Sequence, residues 1–172
     1  NISMRCGDKV YITPSGTDKG EITEDDIGVT DLDGNITGRQ FKPSIESRMH
    51  IMTYLARPDI SAIVHAHPLT GCAFAASDAT LRTDMLSESY AILGKIAVAD
   101  YHLMGSPELA EAVSDAARSA DCIIMRNHGI MTLGRTMLEA FDKMEVFETA
   151  AKINLMLFGL DGHPVPLSSC EL

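Results

Sequence analysis

The stretch Ile60-Ser61-Ala62-Ile63-Val64-His65-Ala66-His67-Pro68 decides how the rest of the chain is read. Residues 60–65 form a short apolar run that ends in histidine, the mark of a buried strand. A strand of that kind needs a sheet with helices laid over it. The two-residue period of a strand turns His65 and His67 to the same face. Pro68 then stops the strand, which puts both imidazoles at a sheet edge near solvent.

Working outward toward the N-terminus, Arg57-Pro58 ends a helix expected over 45–57. Its N-cap is Ser44, and Ile45, Met49, Met52 and Leu55 supply the helical spacing. Residues 26–31 and 35–37 flank a hairpin turn at Asp33-Gly34. Residues 8–13 read as a strand with Val10 and Ile12 on one face, followed by the turn Pro14-Ser15-Gly16. Toward the C-terminus, Pro68 opens a helix on small residues that reaches about Ala76, and residues 95–100 form another strand. Ser106-Pro107-Glu108 supplies an N-cap, a proline at the first helical position and an acid in the first turn. Leu109, Ala112, Val113, Ala116 and Ala117 line that helix. Strands at 121–126 and 130–133 enclose Asn127-His128-Gly129. Thr136 and Glu139 make a capping box for the longest helix, 137–158, with Met137, Phe141, Met144, Phe147, Ala151 and Leu155 on its apolar face and Gly159 as its stop. Hairpins come first and strand–helix alternation follows, so the expected fold is α/β with a mixed sheet covered by helices.

The 172 residues suit a single domain, 1–172, with a sizeable core. A formal net charge of −10 argues against non-specific nucleic-acid binding, which needs a positive footprint. It leaves room for an anionic substrate in a locally positive site. No apolar run reaches the length of a membrane span and no signal peptide is visible. Cys6, Cys72, Cys122 and Cys170 form no C-x-x-C pair and read as reduced, buried thiols of a cytoplasmic protein. The chain opens at Asn1 without a methionine, so further residues are expected before it and after Leu172.

Three groups of residues carry chemistry. His65, His67 and His128 offer three neutral imidazoles at a sheet edge, the donor set of a catalytic zinc with an open position. The plain alternative is three hydrogen-bonded histidines, and for an isolated His-x-His it is the commoner one. His102 and His163 have no such context. Glu46 begins the 45–57 helix, where spacing alone favours a carboxylate that stabilises the helix dipole; His50, one turn on, either orients it or packs. Ser15-Gly16 in a turn and Ser44 at a helix start offer N–H groups and hydroxyls to an anion, or form only a turn and a cap.

These signals fall in one order along the chain: Asn1-Ile2-Ser3, Thr13-Pro14-Ser15-Gly16, Lys42-Pro43-Ser44-Ile45-Glu46 with His50, Val64-His65-Ala66-His67-Pro68, Met104-Gly105-Ser106-Pro107-Glu108-Leu109-Ala110, then Asn127-His128-Gly129. In that order they resemble the class II aldolase/adducin family, most of all its L-fuculose-phosphate aldolases. The resemblance implies a three-layer αβα sandwich with a mixed, largely antiparallel sheet, in a domain lacking here an N-terminal helix and a C-terminal tail. It implies a C4-symmetric homotetramer with active sites between subunits, acting on phosphorylated sugars with a divalent ion, zinc, one per subunit. By position, His65, His67 and His128 match the zinc ligands and Glu46 the acid/base. Asn1, Ser15, Gly16 and Ser44 match the phosphate pocket. Where the family often has a second serine, this chain has Ile45. The family's aldolases also use two tyrosines. One position falls near Leu86, with Tyr90 four residues on, and the other lies beyond Leu172, so neither is assigned.

The implied reaction is cleavage of a ketose 1-phosphate to dihydroxyacetone phosphate and L-lactaldehyde, with the Glu46 pKa raised by partial burial. L-ribulose-5-phosphate 4-epimerases are similar but carry Asp at the Glu46 position. Dehydratases and decarboxylases of sugar phosphates share the scaffold. Adducin-like interaction domains lack the metal histidines.

Overall fold

The computed structural model describes residues 1–168; Cys170 lies outside them. Seven strands form one sheet: β1 (Ile2–Cys6), β2 (Lys9–Ile12), β3 (Gly28–Asp31), β4 (Ala62–Ala66), β5 (Ile96–Ala99), β6 (Cys122–Met125) and β7 (Gly129–Gly134). Their spatial order is β3-β2-β1-β4-β7-β6-β5. Every neighbouring pair is antiparallel except β5 with β6. Among the described residues five α-helices, α1 (Ser47–Ala56), α2 (Leu69–Ala75), α3 (Ser87–Leu93), α4 (Pro107–Ala117) and α5 (Met137–Leu157), and a short 3-10 turn at Glu24–Asp26 complete the fold. The mixed, largely antiparallel α/β sandwich expected from the sequence is the fold observed.

The sheet separates two apolar layers. On one side α1 and α4 pack together over Ile63, Ile123, Met125, Met131 and Leu133. On the other, α2, α3 and α5 cover Ala62, Val64, Ile124 and Ile130. The alternation along β4 divides Ala62 and Val64 from Ile63 and His65, so His65 faces the α1 layer. β4 lies between β1 and β7, with His65 opposite Met131 and Ile2 opposite Val64. The strand that carries His65 is therefore central, and only its C-terminal end meets solvent.

Local signals account for much of this. Ser106 Oγ accepts from Leu109 N and Pro107 is the first residue of α4, as its sequence implies. Thr136 caps α5 in the same way, accepting from Glu139 N. The other half of that capping box differs. The Glu139 carboxylate turns to Arg135 N and to buried Lys143, whose ammonium also donates to Asp121 and to the Leu133 carbonyl.

Several sequence expectations are corrected. Ser44 does not cap α1; the N-cap is Glu46. The face of α1 that packs inward carries Met49, His50, Thr53 and Tyr54, while Ile45 and Leu55 are exposed. Apolar spacing misses it because two of its residues are polar and satisfied inside. On α5, Phe141 and Leu155 are exposed, and Ala140, Met144, Phe147, Ala150 and Ala151 face the core. Small alanines, carrying little hydrophobic signal, let the helix approach the sheet closely. Residues 35–37 make only an isolated bridge between Ile36 and Thr30, beside a turn in which Gly34 has φ +87°. β1 and α3 have no counterpart in the sequence reading. Cys6 is exposed, Cys72 is half-buried and only Cys122 is buried; none of the three is paired. Among the described residues, no helix is long and apolar enough to cross a membrane.

Candidate metal centre and active site

His65, His67 and His128 converge although the first two close β4 and the third sits between β6 and β7. Their ring centroids lie 4.8, 5.0 and 5.4 Å apart, and one ligand nitrogen from each falls within 4.8 Å of the others. Chain geometry produces this. Asn127 adopts φ +52°, a left-handed conformation that asparagine tolerates, and turns the chain so that His128 looks back at β4. Gly129 follows because nothing larger fits. A Cβ there would stand 2.5 Å from His67 Cδ2 and 2.8 Å from the Ala66 carbonyl oxygen.

The buried ring of His65 is already oriented. Its Nδ1 donates to the Ile130 carbonyl at 2.9 Å, which leaves Nε2 as the bare nitrogen. That Nε2 is buried and has no hydrogen-bond partner, as does His128 Nδ1. Orphaned imidazole nitrogens in a closed site are costly unless something coordinates them. A three-imidazole set fits zinc or another first-row divalent ion. The cluster is thus capable of holding a divalent metal, with the exposed His67 at its solvent side.

Glu46 closes the cluster from the α1 layer. Its Oε1 lies 2.8 Å from His128 Nε2 and its Oε2 3.4 Å from His65 Nε2. The first contact is short, yet Oε1 makes no well-aligned hydrogen bond, so we read it as proximity rather than a formed bond. Asn1 Nδ2 donates to Oε2 at 2.6 Å and to Ser44 Oγ at 3.2 Å. The sequence reading expects partial burial to raise the Glu46 pKa; the reverse holds. Burial does push it up, but the adjoining His128 and His65 imidazoles and the Asn1 amide outweigh that and hold the carboxyl at about 2 in the metal-free site. Burial lowers His65 to about 4, so its ring is neutral at pH 7 and ready to ligate.

The residues matched to a phosphate pocket are brought together unevenly. Asn1 and Ser44 are hydrogen-bonded to each other beside Glu46. Ser15 and Gly16 lie on a separate turn, tied to the same segment by Ser15 N donating to the Lys42 carbonyl at 3.0 Å. That bond uses the Ser15 N–H which the sequence offers to an anion. Gly16 keeps a left-handed φ of +71° at the turn. His102 is half-buried and His163 exposed, and neither belongs to the cluster.

Sequence reasoning passes over Ser3 and Tyr54. Ser3 Oγ bonds His50 Nδ1 at 2.7 Å and the Tyr54 hydroxyl at 2.9 Å, in a region closed to solvent. The available signal was the spacing Glu46, His50, Tyr54 along one helix face.

The comparisons with known proteins agree with the fold. The family model described as the class II aldolase and adducin N-terminal domain matches residues 1–155. An L-fuculose phosphate aldolase of Methanococcus maripaludis is 42% identical over 160 residues, covering 93% of this chain and 86% of that protein. A 3-oxo-tetronate 4-phosphate decarboxylase of Haemophilus influenzae is 32% identical over 164 residues, covering 92% and 78%. The solved structure of an L-fuculose 1-phosphate aldolase superposes with a TM-score of 0.88 at 35% identity, covering 99% of this chain and 80% of that one. With the sandwich, the three imidazoles and the adjoining carboxylate in place, this chain belongs to the class II aldolase/adducin family.

Proposed function

We propose that the protein is a zinc-dependent aldolase that cleaves a ketose 1-phosphate, L-fuculose 1-phosphate, to dihydroxyacetone phosphate and L-lactaldehyde. The observation that carries this is the Glu46 carboxylate, 2.8 and 3.4 Å from two imidazoles of the cluster. An acid/base beside three neutral metal ligands suits carbon–carbon cleavage next to a carbonyl. The similarity to two L-fuculose phosphate aldolases supports the substrate.

A divalent ion held by His65, His67 and His128 would supply Lewis acidity at the substrate carbonyl. As the carbon–carbon bond breaks, the hydroxyl of the departing half gives up its proton and becomes the aldehyde carbonyl, and Glu46 delivers a proton to the carbon left behind, which completes the triose phosphate. Asn1 holds the carboxylate in place. Ser44, Ser15 and Gly16 receive the phosphate and turn its binding energy into orientation at the reacting carbon. No lysine stands in the cluster, so no Schiff base is invoked.

The same reading places the protein in the cytoplasm as a homotetramer with active sites between subunits. Three unpaired cysteines support the compartment. Phe141, Leu155, Met156 and Phe158, exposed along α5 and its end, support the assembly.

The test is a panel of ketose phosphates and phosphorylated sugar acids, read as triose-phosphate release, carbon dioxide release and epimer formation. Triose phosphate from a ketose 1-phosphate supports the proposal. Carbon dioxide from a 3-oxo acid phosphate, without aldol cleavage, replaces it with decarboxylation, the activity named for the 32% identical relative. Epimer formation alone replaces it with epimerisation.

A further inference from the structure

Behind the carboxylate, α1 and β1 are joined by a chain of polar side chains that alternates between them. Tyr54 OH meets Ser3 Oγ at 2.9 Å, Ser3 Oγ meets His50 Nδ1 at 2.7 Å, His50 Nε2 meets Asn1 Oδ1 at 2.5 Å, and Asn1 Nδ2 meets Glu46 Oε2 at 2.6 Å. The periodicities explain the fit. Glu46, His50 and Tyr54 are four residues apart, a rise of about 6 Å per step on a helix. Asn1 and Ser3 are two apart, about 6.8 Å on a strand. The two ladders differ by only about 0.8 Å per step, small enough for the side chains to interdigitate. Ser3, His50 and Tyr54 are 2%, 0% and 0% exposed, so solvent cannot replace a lost link.

Donor and acceptor roles then follow in one direction. An ionised Glu46 only accepts, so Asn1 must present its NH2 there and its carbonyl oxygen to His50. His50 must therefore carry its proton on Nε2. Burial keeps its ring neutral, so Nδ1 is bare and accepts from the Ser3 hydroxyl. Tyr54 closes the chain with one hydroxyl proton shared between the Ser3 hydroxyl oxygen at 2.9 Å and the Ser3 carbonyl at 3.0 Å. An amide in the middle makes this an orienting chain rather than a proton wire.

We propose that His50 is a positioning residue: held in its Nε2–H tautomer by Ser3, it fixes the Asn1 amide, and the Asn1 amide aims Glu46 at the histidine cluster. The kinetic consequence rests on the acid/base reading of Glu46; the tautomer and the fixed amide do not.

The test uses the full-length, zinc-loaded protein, with His50→Leu, His50→Gln and Ser3→Ala beside the parent. Long-range proton–nitrogen spectra of labelled histidine should show His50 protonated at Nε2 and bare at Nδ1. His50→Leu should lower kcat for triose-phosphate release by roughly 10- to 100-fold, as loss of an outer partner does, with KM and zinc content unchanged. Glutamine can donate toward Asn1 and accept from Ser3, so His50→Gln should recover most of that loss. A merely structural histidine would not divide the two variants in this way. An Nδ1–H tautomer, parental kcat in His50→Leu, or no recovery by glutamine in a folded variant overturns the inference. If His50→Leu fails to fold, Ser3→Ala decides: a shifted Nδ1 resonance with a several-fold loss of kcat, about threefold or more, supports it, and no change overturns it. If the parent cleaves no ketose phosphate, the functional reading falls by itself. The Asn1 side-chain amide signals then decide: an ordered pair in the parent that is averaged in His50→Leu supports the inference, and an unchanged pair overturns it.

Discussion

Glu46 Oε1 and His128 Nε2 stand 2.8 Å apart, although one residue caps α1 and the other lies in the turn between β6 and β7, on the far side of β4 from β1. The approach brings two distant halves of the chain together at one site.

Glu46→Gln keeps the shape and the Asn1 contact but removes the proton carrier. It should retain bound zinc while turnover falls by about 100- to 10,000-fold, the usual contribution of a general acid/base. Metal analysis and triose-phosphate release on the same preparation check this. Unimpaired turnover would remove Glu46 from the reaction.

Stripping metal with a chelator should abolish turnover and lower the melting temperature, and zinc added back should restore both. A ligand present at 1,000 times its dissociation constant stabilises the fold by about 4 kcal/mol. His67→Ala, at the exposed side of the cluster, should cost metal affinity without unfolding the chain, as competition with a chromophoric chelator would show.

Gly129→Ala should disturb the cluster with no change to any ligand. The added Cβ falls 2.5 Å from His67 Cδ2 and 2.8 Å from the Ala66 carbonyl, and the latter is backbone that cannot swing aside. Zinc affinity should fall by roughly 10- to 100-fold, measured by the same competition. Parental affinity would show that β4 and β7 can separate at that point.

Acid should destabilise the chelated protein. Burial holds His65 at about 4 and His50 at about 3, both below the ordinary value near 6.5. The unfolded chain therefore takes up protons that the folded one refuses, and stability drops as pH falls from about 6.5 toward those values. Glu46, held at about 2, adds a loss of the same sign once pH drops below the ordinary carboxylate range. Melting temperatures between neutral pH and pH 4 test this, and His50→Gln should show a shallower decline.

Lys143→Met removes an ammonium that donates to Asp121, Glu139 and the Leu133 carbonyl. Asp121 keeps Arg57 at 2.9 Å, so the loss should stop at roughly 2–3 kcal/mol, the scale of a hydrogen bond to a charged group. Urea unfolding measures it, and turnover per folded molecule should stay at the parental level.

What the sequence by itself determined was local. The unbroken apolar run of β4, the proline after His67, the caps at Ser106 and Thr136 and the Asn-His-Gly turn are short-range signals, and each produced the element it implied. The histidine cluster was legible for the same reason: two lie two residues apart at a strand end and the third sits in a turn only a few φ/ψ combinations allow. Tertiary structure decided the rest. Which face of α1 points inward could not be read from hydrophobicity, because His50 and Thr53 are buried by hydrogen bonding rather than by apolar character. The link from Tyr54 through Ser3, His50 and Asn1 to Glu46 required β1 to lie along α1, a pairing between residues about fifty positions apart. The depressed Glu46 pKa followed from that assembly, since the sign of a buried carboxylate's shift depends on the donors and charges folding brings to it.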